Sequence, residues 1–334
     1  MNTYTAPRWL PGGNLQTIWA ALYAKRGLAG PPSYRRERWN APDGDFIDVD
    51  FTEPVADLDT VQTTYSARPL LVLFHGLEGS SRSHYAETFA EFATEHDWAF
   101  AVPHFRGCSG EPNLAPRAYH SGDFEEIGWI LARLRQQHDA AGGGPIFAAG
   151  VSLGGNALMR WAGESGADAS RFVSAVASIS APLDLAAGGL AIGRGFNKLA
   201  YTRMFLGTMK PKALAKLAQH PDLFDREAMQ QVKDLHSFDD LFTAPVHGFR
   251  DADDYWAQGS AKAHLHRIRV PALALNALND PFVPAASLPL ADEVGSYVTL
   301  WQPSHGGHVG FPSGALPGHV REMPAAVGCW FAAQ

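Results

Sequence analysis

The chain has 334 residues, 46% of them hydrophobic and 18% charged, which supplies a large core and excludes an intrinsically disordered chain. A net charge of -7 without any Lys/Arg run argues against nucleic acid as a partner, and no apolar stretch is long enough for a transmembrane helix. The two cysteines, Cys108 and Cys329, are too few for a disulfide framework and are expected as free thiols, while the fourteen histidines follow no metal-ligand spacing, so no metal and no other cofactor is expected.

The opening MNTYTAPRWLPGG lacks the basic and then apolar order of a secretion signal, and the protein is expected in the cytoplasm. Residues 34–39 and 46–51 flank Pro42-Asp43-Gly44-Asp45, a turn signal that predicts an antiparallel pair at a sheet edge. Apolar runs bounded by Gly, Pro and polar residues follow at 69–74, 98–103, 145–150, 172–179, 270–276 and 297–301. Amphipathic stretches at 84–96, 123–137 and 153–164 supply the crossover helices that parallel strands need. The alternation predicts an α/β fold with about eight strands, mostly parallel and flanked by helices, in a single domain over 1–334. Residues 185–264 break the rhythm with helical patterning and no buried strand, and are read as a helical cap insertion. Asp253, Asp254 and His264 in that part are read as a solvated polar face.

Behind the run 145–150 comes Gly150-Val151-Ser152-Leu153-Gly154-Gly155-Asn156 and then a helical pattern, so a GxSxG sequence sits between a strand and a helix. That is the setting in which a sharp turn lifts a serine above the sheet, and small residues on both sides let the backbones crowd. Ser152 is the candidate nucleophile, and the Leu153 amide at the helix start is a candidate oxyanion donor. A second donor belongs after an earlier strand, where His75-Gly76-Leu77-Glu78-Gly79 follows 69–74; the Leu77 amide is the candidate, with His75 packed or hydrogen-bonded beneath.

In a triad of this kind acid and base follow the nucleophile in chain order, on loops after late strands. The loop after 270–276 offers Asp280, in Asn279-Asp280-Pro281, with Asp184 behind the preceding strand as a second candidate. The loop after 297–301 offers His305 and His308; His308 is preferred because Gly306, Gly307 and Gly310 let the loop fold tightly over Ser152. Cys108, in Phe105-Arg106-Gly107-Cys108-Ser109-Gly110, has no basic neighbour in sequence beyond Arg106 and is read as an ordinary loop cysteine.

These motifs together resemble the AB-hydrolase family 4, or YheT-like, branch of the α/β hydrolases. The resemblance rests on Leu10-Pro11-Gly12-Gly13-Asn14-Leu15-Gln16-Thr17-Ile18-Trp19 at the start, and then on HGLEGS, FRGCSG, GVSLGGN, NDPFVP and GGHVGF in that order, over nearly the whole chain. It implies the α/β-hydrolase fold, a triad of Ser152, Asp280 and His308, and hydrolysis of carboxylic esters with short to medium acyl chains or of a lipid-like substrate. Acyl transfer to an alcohol, cofactor-free perhydrolysis and a non-catalytic binding module stand as alternatives.

Overall fold

The computed structural model describes residues 4–27, 30–53 and 68–334. Among them eight strands form one sheet: β1 (Tyr34–Asn40), β2 (Phe46–Thr52), β3 (Leu70–Phe74), β4 (Ala99–Pro103), β5 (Ile146–Val151), β6 (Ala175–Ile179), β7 (Ala272–Leu275) and β8 (Val298–Trp301). Their order is β1-β2-β4-β3-β5-β6-β7-β8. β1 and β2 pair antiparallel, β2 meets β4 antiparallel, and every pair from β4 to β8 is parallel.

The central strands read as unbroken apolar runs because both their faces are covered. Leu70, Val72 and Phe74 point to one side of β3, into a core shared with α3 (Phe124–Ala140) and α4 (Leu153–Ser165). Leu71 and Leu73 point to the other, against α2 (His84–Glu95) and the helix Glu322–Ala332. The period-two alternation of a strand thus feeds two cores from five consecutive residues.

Ahead of the sheet, α1 (Gly13–Leu22) is a helix that the run LPGGNLQTIW did not by itself predict. From Leu185 to Arg267 the chain holds helices and turns and no strand, beginning with α5 (Leu185–Ile192). A helix from Gly195 then runs through a π turn at Lys198–Thr202 into Arg203–Gln219. This excursion has an apolar cluster of its own, including Leu206, Met229, Phe238 and Phe242. Among the described residues no helix is long and apolar enough to cross a membrane.

Candidate active site

β5 ends at Val151 and α4 begins at Leu153, so Ser152 alone makes the reversal and takes φ 51° and ψ −118°. For a non-glycine residue that backbone costs about 1–3 kcal/mol, which the packing around it must over-determine. Gly154 supplies part of that packing: a Cβ there would lie 2.5 Å from the carbonyl oxygens of Phe74 and His75, so α4 reaches the end of β3 only without a side chain.

β7 and β8 deliver their loops to the same end of the sheet. His308 Nε2 lies 3.0 Å from Ser152 Oγ, and His308 Nδ1 lies 2.9 Å from Asp280 Oδ2. Asp280 Oδ1 accepts from the amides of Phe282 (2.7 Å) and Val283 (3.2 Å), which aims the second oxygen at the imidazole. Ser152, Asp280 and His308 are therefore brought into one hydrogen-bonded line. Asp184 instead caps α5, accepting from the Ala187 amide at 3.0 Å, and His305 sits exposed beside Ser304 Oγ.

Leu77 and Leu153 line the same cavity as Ser152 and His308. The amides on either side of Leu77 are occupied: Gly76 N–H donates to the Tyr85 hydroxyl (2.9 Å) and Glu78 N–H to the Tyr119 hydroxyl (3.0 Å). Tyr119 donates in turn to the Glu78 carboxylate at 2.9 Å, holding Glu78 at φ 57°. Among the described residues neither the Leu77 nor the Leu153 amide has a hydrogen-bond acceptor, so both are free to serve a ligand. His75 packs beneath this loop, donating from Nδ1 to Gly76 O (2.8 Å) and accepting the Phe105 amide at Nε2 (3.0 Å). Burial pushes its pKa down to about 3, so the ring is neutral.

The histidine loop rests on α1, a support that motif reading did not assign. Thr17 Oγ1 accepts the His308 amide (2.8 Å), and Gln16 Oε1 accepts both the Gly306 amide and Asn279 Nδ2 at 2.9 Å. Gly307, at φ 64°, is crowded by Gly13 and Thr17, where a Cβ would meet the Gly13 carbonyl at 2.6 Å. From the sheet side the Ser180 hydroxyl accepts the Val309 amide at 3.0 Å. No local signal marks Gln16 and Thr17, since their burial and their partners Asn279, Gly306 and His308 appear only in the fold.

Above Ser152 opens a cavity of about 550 Å³, walled by the excursion through Leu185, Ile192, Phe205, Met209 and Phe242, and by Phe282, whose ring lies 4.2 Å from that of His308. Cys108 has a basic neighbour that its sequence surroundings hide: Lys212 Nζ is 3.8 Å from its sulfur and 2.8 Å from the Glu78 carboxylate. Burial nonetheless raises the thiol pKa to about 12, so it is no nucleophile at neutral pH. Asp253 is largely exposed, but Asp254, paired with Arg250 at 3.1 Å, and His264, 3.3 Å from Glu164, are only partly so, a departure from the solvated reading.

A family model for the alpha/beta hydrolase fold matches residues 69–315. The chain is 38% identical over 305 residues to YheT of Escherichia coli (strain K12), a protein named as a conjectured esterase, with 91% of this chain and 85% of that one aligned. It is 28% identical over 320 residues to the Homo sapiens protein named Phospholipase ABHD3, over 94% of this chain and 75% of that one. The solved Pyrobaculum calidifontis esterase shares the fold, with a TM-score of 0.56 at 16% identity, over 96% of this chain and 88% of that one.

Proposed function

Because the chain belongs to the α/β hydrolase fold family, we propose that it is a serine hydrolase cleaving carboxylic esters, of short to medium acyl chain or lipid-like, through an acyl-enzyme on Ser152. The observation that carries this reading is the unbroken line from Asp280 through His308 to the Ser152 hydroxyl. His308 Nε2 takes the proton of Ser152 as the hydroxyl oxygen attacks the ester carbonyl, and Asp280 stabilises the imidazolium that results. The Leu77 and Leu153 amides hold the oxyanion, each worth about 2.7–4 kcal/mol of barrier by the measure of other such donors. The alcohol leaves with the proton from His308. Water then repeats the cycle on the acyl-enzyme and frees the acid.

In this reading residues 185–264 act as a cap, and their apolar wall receives the acyl chain. The esterase and phospholipase names of the relatives agree with such a substrate. The test is exposure to a fluorophosphonate probe, wild type beside Ser152→Ala, followed by turnover on p-nitrophenyl esters of graded chain length. Labelling at Ser152 and a fall in kcat of about 10⁴-fold or more in the variant are expected. A variant that keeps near-native turnover sinks the mechanism, and product analysis with an added alcohol distinguishes hydrolysis from acyl transfer.

A further inference from the structure

Residues 185–221 hold six cations, Arg194, Lys198, Arg203, Lys210, Lys212 and Lys216, and not one Asp or Glu, in a chain whose net charge is -7. Large apolar side chains stand exposed among them: Leu190 at 49%, Phe196 at 55%, Leu199 at 76% and Met204 at 56%. Phe196, Leu199, Arg203 and Met204 recur at helical spacing along the helix that starts at Gly195 and continues to Gln219. The same helix turns Tyr201 and Leu206 inward and gives Phe205 and Met209 to the cavity above Ser152. Two of the cations are neutralised, Lys198 by Asp234 at 3.4 Å and Lys212 by Glu78 at 2.8 Å. Arg194 and Arg203 are exposed and have no carboxylate partner among the described residues.

We propose that this outward face, Leu190, Arg194, Phe196, Leu199, Arg203 and Met204, docks on an anionic lipid surface. An exposed apolar cluster next to unpaired cations suits a lipid interface, where the side chains enter the acyl boundary and the arginines meet headgroup phosphates. A two-fold contact with a second copy fits less well, because it sets the unpaired arginines of one copy against those of the other. Docking through this helix brings the cavity wall it also builds to the lipid, so a substrate leaving the surface has a short path to Ser152.

The readout is binding and needs no turnover, so it stands or falls apart from the esterase reading. The full chain is mixed with vesicles of phosphatidylcholine alone and of phosphatidylcholine with phosphatidylglycerol, and the sedimented fraction is measured. Binding is expected to the anionic vesicles only, and to weaken with salt. Arg194→Gln with Arg203→Gln should weaken it about 25-fold, from about fivefold per cation near the surface. Leu199→Ser with Met204→Ser should abolish it, while both pairs keep the wild-type melting temperature and turnover of a soluble ester. Folded protein that stays in solution with anionic vesicles overturns the proposal. So does equal binding to both vesicle types, or a dimer in ultracentrifugation that the same variants dissolve.

Discussion

Gln16 is fully buried and ties three stretches of chain with one amide: its oxygen accepts from Gly306 and Asn279, and its nitrogen donates to the Leu10 carbonyl at 3.0 Å. Truncation in Gln16→Ala leaves the buried Gly306 amide without an acceptor, at about 1–3 kcal/mol, and the partly buried Asn279 Nδ2 without its own. A lowered denaturation midpoint is expected, with kcat down by about tenfold to 100-fold at nearly unchanged KM, because the histidine and acid loops lose their common anchor. Thr17 isolates the effect on His308. Thr17→Val removes the acceptor of the His308 amide and should lower kcat, whereas Thr17→Ser keeps the oxygen and should restore it. Equal kinetics for the valine and serine variants would dismiss this positioning role. Ser152, Asp280 and His308 were legible as candidates because each lies in a local motif after an apolar run. The roles of Gln16 and Thr17 were not, since their partners stand far along the chain.

At the scale of elements, α4 is fixed by more than its apolar face. Asn156 is completely buried; one Nδ2 hydrogen goes to Gly259 O (2.8 Å) and the other is shared between Ser121 O (2.9 Å) and Ser121 Oγ (3.1 Å), while its oxygen accepts the Ala261 amide at 2.9 Å. One side chain thereby joins α4 to the loop before α3 and to the end of the helix Ala252–Gly259. Asn156→Leu should lower unfolding free energy by about 3 kcal/mol. Asn156→Asp should not rescue it, because a carboxylate accepts but cannot donate to three acceptors. Urea denaturation of the three proteins checks this, and an Asp variant as stable as wild type would refute it. The strands were readable from sequence to within one to three residues at each end, because apolar runs closed by Gly and Pro are local signals. The π turn at Lys198–Thr202 and the helix at Gly13–Leu22 were not, since both are stabilised by contacts across the fold: Tyr201 hydroxyl donates to Asn14 Oδ1 at 2.9 Å.

For the whole molecule, buried ionisable groups set how stability answers to acid. Burial lowers the pKa of His75 and His120 to about 3 and that of His84 to about 4, and also lowers His138, His247 and His264. Each such histidine binds fewer protons folded than unfolded, so its contribution is complete above the unfolded value of about 6.5 and is lost as pH falls toward the folded value. Burial acts oppositely on Asp239, raised to about 6, and on Glu126, also raised; their contribution is complete at low pH and is lost as pH rises through the folded value. The histidines outnumber these carboxyls, so the melting temperature should fall between about pH 7.5 and about pH 5. A flat or rising melting temperature over that interval would contradict the balance.

The sequence by itself determined the fold class, the order of the strands and of the three crossover helices between them, and the short list of chemical groups, because periodicity, turn residues and the GxSxG setting act between near neighbours in the chain. It left Asp184 beside Asp280 and His305 beside His308. Tertiary structure decided where those four go: parallel pairing sets β5, β6, β7 and β8 side by side, and the loops that leave them carry Asp280 and His308 to Ser152 while Asp184 caps α5 and His305 faces outward. It also decided what lies beneath the histidine loop and which face of the excursion meets solvent. Those outcomes depend on which distant surfaces exclude water together, and no window of neighbouring residues records that.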